Sequence, residues 1–128
     1  MGITILVVDD HPINLKLASQ VLQSSGHEVM EAKDAEQAQE LLQERIPDLV
    51  LTDVTLPGID GLELTRRLKT NPRYQHLPVV ALTASAMKGD ETRVLEAGCD
   101  AYIAKPFDTR NLAVVLVEVL ARHTDKLK

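Results

Sequence analysis

The chain has a single cysteine, Cys99, and no tryptophan. One cysteine excludes a disulfide framework and a four-thiolate zinc site within one chain. Aromatics make up only 2% of residues (Tyr74, Tyr102 and Phe107), so any core must be aliphatic. Positive charge is also short: 14 basic against 19 acidic side chains leave a formal net charge of -5. That balance argues against direct nucleic-acid binding, which calls for a basic face toward phosphates. No apolar run approaches the length of a membrane span, and no charged-then-apolar leader precedes the first strand pattern. Gly2 suggests myristoylation, but Leu6 stands where that motif requires Ser or Thr. Six glycines and six prolines are too scattered to make a linker. The expectation is one cytoplasmic domain of 128 residues with no membrane association.

What is present is alternation. Residues 3–8, 49–51 (running into Asp53) and 79–82 are nearly continuous in apolar side chains. Strands covered on both faces read this way, as in a parallel sheet between helices. Weaker strand patterns lie at 29–32 and 101–104. Between them, Ile13, Leu17 and Val21 recur at helical spacing, with Gly26 closing that helix. Ala35, Ala38, Leu41 and Leu42 mark a second helix with Asp34 as its N-cap. Leu62, Leu64 and Leu68 mark a third, ended by Asn71-Pro72. Val94, Leu95 and Ala97 mark a fourth, closed by Gly98, and Leu112, Val115, Leu116 and Val119 the core stripe of a fifth. Strand and helix alternating five times predict an α/β fold with right-handed crossovers.

In such sheets function sits at the carboxyl ends of the strands. The first strand is followed by Asp9 and Asp10, the third ends in Asp53, the fourth in Thr83, and the fifth is followed by Lys105-Pro106. Singly, each residue is most simply a turn former, a strand-end hydroxyl or a solvated lysine. Jointly they describe a site. Three carboxylates brought together repel one another unless a cation lies among them, and Mg²⁺ suits an oxygen-rich site with room for a phosphoryl oxygen. Asp53 is then a carboxylate nucleophile able to form an aspartyl phosphate. The Lys105 ammonium and the Thr83 hydroxyl would contact other phosphoryl oxygens.

At this point the chain resembles a response-regulator receiver domain of bacterial two-component signalling, of the stand-alone chemotaxis or cell-division type. The residues that carry the resemblance are Leu6-Val7-Val8-Asp9-Asp10, Asp48-Leu49-Val50-Leu51-Thr52-Asp53, Leu56-Pro57-Gly58-Ile59-Asp60-Gly61, Pro78-Val79-Val80-Ala81-Leu82-Thr83-Ala84 and Gly98-Cys99-Asp100-Ala101-Tyr102-Ile103-Ala104-Lys105-Pro106. The resemblance implies a flavodoxin-like (βα)5 three-layer sandwich with strand order 2-1-3-4-5. It implies a receiver domain over 1–124, a short tail over 125–128 and no output domain. Asp53 resembles the phosphoacceptor, and Asp10, Asp53 and the Thr55 carbonyl the Mg²⁺ ligands, with Asp9 acting through a water. Thr83 resembles the switch hydroxyl, Tyr102 the switch aromatic and Lys105 the phosphate-contacting lysine, with a cis bond expected before Pro106.

The implied partners are a sensor histidine kinase or a histidine phosphotransfer protein, and a downstream protein target. Ile13, Asn14 and Leu15, beside the acidic pair, form the expected docking surface for the phosphohistidine protein. His11 reads as a loop residue at the mouth of the site, not as a metal ligand. A second apolar stripe on the fifth helix, Ala113, Val117 and Leu120, marks the output face together with the fourth helix and fifth strand, for a target protein or a phosphorylation-dependent homodimer. Two enzymatic or redox alternatives fit less well. A phosphohydrolase of the haloacid-dehalogenase type needs a second Asp where this chain has Thr55, and a flavin carrier would meet repulsion from Asp9 and Asp10. A receiver-fold scaffold that works without phosphorylation is the remaining alternative. The domain is expected to catalyse only its own phosphorylation and dephosphorylation.

Overall fold

The apolar runs become five strands of one parallel sheet: β1 (Thr4–Val8), β2 (Glu28–Ala32), β3 (Leu49–Asp53), β4 (Val79–Thr83) and β5 (Ala101–Ala104). Their order is β2-β1-β3-β4-β5, as the resemblance implies. The computed structural model describes residues 2–83 and 88–104, with backbone alone at 88–91 and 104, and helical positions 112, 114–116, 118, 119 and 121. Helices α1 (Pro12–Ser24), α2 (Ala35–Glu44), α3 (Gly61–Thr70) and α4 (Lys88–Glu96) connect the strands.

Every residue of β3 and β4 is buried, because helices cover both sides of the sheet. Strand alternation sorts the core into two layers. Leu6, Val8, Val50, Val79 and Ala81 face a cluster that includes Ala38 and Leu42 of α2, Leu64 and Leu68 of α3, and Val94 of α4. Ile5, Val7, Leu49, Leu51, Val80 and Leu82 face Ala18 and Leu22 of α1 together with Leu112, Leu116 and Val119. The sheet is thus sandwiched, with α1 and the C-terminal helical positions on one side and α2, α3 and α4 on the other. Val115, expected in the core stripe, is half-buried against the second layer.

Caps fix where the helices start and stop. Asp34 accepts the Gln37 backbone N–H at 2.8 Å, and Gln37 Oε1 accepts the Lys33 N–H at 2.8 Å, so two backbone donors are satisfied at the start of α2. Asp60 caps α3 in the same way through the Glu63 N–H at 2.8 Å. At the far end of α1, Gly26 takes φ +91°, and the N–H groups of Gly26 and His27 return to the carbonyls of Gln23 and Leu22. Gly98 repeats this device after α4, with φ +106° and returns to Leu95 and Val94. Both turns need a left-handed residue, which glycine adopts without a Cβ penalty.

In two helices the apolar residues that mark the helical spacing are not all buried. The row Ile13, Leu17, Val21 is not the core face of α1: Ile13 is 82% and Leu17 45% exposed. The inward face is Ala18, Ser19 and Leu22, with Leu15 partly buried beside them. Positions four apart advance by 40° per step, so an i, i+4, i+8 row winds off the sheet, whereas i, i+3, i+4, i+7 stays on it. Ser19 joins the core because its hydroxyl donates to Glu31 Oε2 at 2.6 Å. Leu95 of α4 is 48% exposed, while its neighbours Val94 and Ala97 are buried. Cys99 packs in the turn before β5 with its sulfur 3.6 Å from Thr65 Oγ1, and burial pushes its thiol pKa up.

Candidate functional site

The sheet register brings the carboxylates together. β1 and β3 pair in parallel with Val8 beside Thr52, so Asp9 and Asp53 are the next residues along adjacent strand ends. Asp9 still belongs to the sheet, since its N–H donates to the Ala32 carbonyl at 3.0 Å. β3 pairs with β4 with Asp53 beside Leu82, which puts Thr83 one step beyond; Thr83 in turn pairs with Ala104. Three of the expected site residues, Asp9, Asp53 and Thr83, are therefore buried at one edge, at most 5% exposed. Asp10 follows on the solvent side, its side chain 33% exposed.

Local turns aim these side chains. Asp9 Oδ1 accepts the His11 N–H at 2.9 Å, and Asp53 Oδ1 accepts the Thr55 N–H at 3.1 Å. Each is an Asp bonding the backbone two residues on, the usual way Asp holds a turn after a strand. The Thr55 side of the loop is exposed.

Behind Asp53 the backbone leaves no room for a side chain. A Cβ placed on Gly61 would collide with the Asp53 carbonyl oxygen and come within 3.1 Å of the Val54 Cα. The Gly61 N–H donates to the Val54 carbonyl at 2.9 Å. The start of α3 is thus pressed against the residue that ends β3. Gly61 is a positioning residue that reading the sequence missed; its signal was an Asp-Gly pair directly before helical apolar spacing.

One ligand atom from each of Asp9, Asp10, His11 and Asp53 lies within 4.8 Å of all the others. The donor set passes a chemical test for a hard divalent cation: three carboxylates on two adjacent strand ends supply oxygen ligands, and a cation relieves their mutual repulsion. His11 lies at the mouth of the site as expected, its side chain 66% exposed, with Nδ1 3.3 Å from Asp10 Oδ1 and 3.5 Å from Asp9 Oδ1. The proximity of that nitrogen to two carboxylates goes beyond the sequence expectation.

Tyr102 is half-buried and packs against the core layer that holds Leu56 and Ala81. Of the expected docking surface, Ile13 is exposed, while Asn14 and Leu15 are half-buried. Lys105, Pro106, Ala113, Val117 and Leu120 lie outside the described residues. A separate cleft of about 510 Å³ opens between α2 and α3, lined by residues that include Leu42, Leu68, Tyr74 and Arg73 and by none of the acidic site. Among the described residues, no helix is long and apolar enough to cross a membrane.

Comparison with known proteins agrees with this geometry. Residues 5–117 match the family described as the response regulator receiver domain. The polar-differentiation response regulator DivK of Brucella anthropi is 43% identical over 103 residues, covering 80% of this chain and 84% of that protein. The chemotaxis response regulator CheY4 of Vibrio cholerae is 26% identical with a TM-score of 0.88, covering 93% of this chain and 99% of that one. A receiver domain of a Pseudomonas aeruginosa sensor histidine kinase, solved with a magnesium ion coordinated in its active-site cleft, is 34% identical with a TM-score of 0.86. That match covers 94% of this chain and 99% of the other.

Proposed function

The chain belongs to the response regulator receiver domain family, and on that premise we propose that Asp53 accepts a phosphoryl group from a phosphohistidine of a sensor kinase or a histidine phosphotransfer protein. The observation that carries this reading is the convergence of Asp9, Asp10 and Asp53 at the carboxyl edge of β1 and β3. In the transfer, an Asp53 carboxylate oxygen attacks phosphorus as the phosphorus–nitrogen bond breaks. The imidazole leaves with the bonding pair and takes a proton, and Asp53 becomes an acyl phosphate. The turn through the Thr55 N–H and the contact with Gly61 hold the nucleophile in line. Asp9, Asp10, Asp53 and the Thr55 carbonyl would hold Mg²⁺, which supplies charge neutralisation at the transferring phosphoryl oxygens. The Thr83 hydroxyl donates to one of those oxygens and the Lys105 ammonium pairs with another. No second protein substrate is turned over: the domain catalyses only the making and hydrolysis of its own phosphate, in the cytoplasm.

Signalling then follows from Thr83. Drawn toward the new phosphate, its hydroxyl vacates space into which the Tyr102 ring turns. That changes the face made by α4, β5 and the C-terminal helical positions, which binds a target protein or a second copy. The phosphohistidine protein docks on the other side, where Ile13 stands 82% exposed at the start of α1, one turn from Leu17.

Incubation with a radiolabelled phosphorylated histidine phosphotransfer domain and Mg²⁺ tests the reading. Label moves to the wild-type chain and stays on the donor with Asp53→Asn. Label that moves equally to both chains sinks the assignment of Asp53. A wild-type chain that takes no label from any phosphohistidine donor points instead to the phosphorylation-independent scaffold.

A further inference from the structure

We infer that the cleft between α2 and α3 is a binding site for a nucleoside phosphate, with the phosphate held by Arg67 and Arg73 and the base seated against Leu42, Leu68 and Tyr74. The cleft shares no residue with the acidic edge, so the inference is independent of the reading of Asp53 as a phosphoacceptor.

Size and shape favour a small molecule. The cleft holds about 510 Å³, inside the range of about 300–1,000 Å³ usual for small-molecule sites. Leu42, Leu68 and Tyr74 form an apolar floor, each at most 7% exposed. α2 ends at Glu44, so the Leu42 carbonyl is among those that the helix itself leaves unpaired. The Tyr74 hydroxyl donates to it at 3.3 Å. That bond ties the segment after α3 to α2, so the two walls are fixed before a ligand arrives.

Charge selects an anion. The chain carries a net charge of -5, yet the charged residues that line the cleft are both arginines. The Arg73 guanidinium lies over the Tyr74 ring, 5.4 Å from its centroid, and makes no ion pair among the described residues. Arg67 meets Glu63 at 3.4 Å, an exposed contact one helical turn away that is worth little. Planar guanidinium groups match phosphate oxygens in pairs, and their faces also carry a stacked base. The last turns of α2 and α3 oppose an anion through the helix dipole, but that amounts to about half a charge per helix against two full positive charges.

The amides of the lining suit the edge of a base. Gln39 Nε2 donates to the Ala35 carbonyl at 3.3 Å, which leaves its Oε1 to accept. Asn71 Oδ1 accepts the Arg73 N–H at 2.9 Å, which leaves its Nδ2 to donate. An acceptor and a donor beside an apolar floor read a nucleobase, whereas inorganic phosphate uses neither. The competing role for the arginines is to offset the dipoles of the two helix ends. On that role any anion binds weakly and alike, and a base adds nothing.

The experiment titrates the full chain with AMP, GMP, adenosine, guanosine and inorganic phosphate, by calorimetry and by amide chemical shifts. Chelator removes divalent cations, so the acidic edge repels phosphate and cannot bind it through a metal. At least one of the two nucleotides should bind saturably, about tenfold or more tighter than its nucleoside or phosphate alone, and shift amides of α2 and α3. Arg67→Gln and Arg73→Gln should each cost about tenfold in that affinity. Both side chains are exposed, so urea unfolding should match wild type. Asp53→Asn should bind as wild type does. Phosphate that binds as well as either nucleotide overturns the inference in favour of a simple anion patch. So does nucleotide binding untouched by both arginine variants, which places the ligand elsewhere. A chain that binds neither nucleotide but takes up an acidic peptide overturns it in favour of a protein-docking surface, and one that binds none of these probes overturns it outright.

Discussion

Replacing Gly61 with alanine separates two opposite expectations. Gly61 is the first residue of α3. On helix propensity alone, alanine for glycine should stabilise the protein by up to about 1 kcal/mol, chiefly by stiffening the unfolded chain. The structure predicts the reverse sign. The new Cβ would collide with the Asp53 carbonyl oxygen and crowd the Val54 Cα at 3.1 Å, and both are backbone atoms that cannot swing aside. Forcing such an overlap costs about 3 kcal/mol, the upper part of the overpacking range. The net expectation is a loss of about 2 kcal/mol, or a fall in Tm of roughly 6–8 °C for a domain of this size. Relief of the overlap must shift the backbone at Asp53, so divalent-cation affinity and phosphoryl uptake should fall with stability. Urea unfolding supplies the free energy, and calorimetric titration with Mg²⁺ supplies the binding. A Gly61→Ala protein as stable as wild type, with unchanged Mg²⁺ affinity, refutes the claim that the start of α3 positions Asp53.

Three further outcomes follow from the same physics. Asp34→Ala removes the cap of α2 far from the site, and should cost about 1 kcal/mol in urea unfolding with no change in phosphoryl uptake. Ile13→Asp alters a side chain that is 82% exposed; stability should stay within about 0.5 kcal/mol while affinity for a phosphohistidine donor falls about tenfold, measured by calorimetry. Burial raises the Cys99 pKa in the folded chain. Its contribution to stability is fully present below the unfolded thiol pKa and is lost as pH rises through the higher folded value. Unfolding curves of wild type should therefore weaken more steeply in alkaline buffer than those of Cys99→Ala, and a thiol reagent should label the native chain far more slowly than the urea-unfolded one.

How far the sequence could be read depended on which force governed each residue. The strands were legible because burial on both faces leaves an unbroken apolar run, and such runs at β1, β3 and β4 admit few other readings. The acidic site was legible for a related reason, since parallel strands bring residues far apart in the chain to one edge once their ends are known. The inner face of α1 was not. Small Ala18 and hydroxyl-bearing Ser19 face the sheet, and only the Glu31 carboxylate across the layer makes the burial of Ser19 tolerable. No local pattern announces that partner. Ile13, the most conspicuous apolar residue of that helix, faces outward instead. The contact of Gly61 with Asp53 was likewise hidden, because it is a tertiary approach whose residue types are common in any turn.

The central claim is that Asp53 is the phosphoacceptor of a site built by Asp9, Asp10 and Asp53. Intact-mass spectrometry after incubation with Mg²⁺ and acetyl phosphate tests it most directly. Acetate leaves as the phosphoryl group moves to the carboxylate, so wild type should gain the mass of one phosphoryl group, stable in acid and lost in base. Asp53→Asn should gain nothing. A gain that persists in Asp53→Asn contradicts the account.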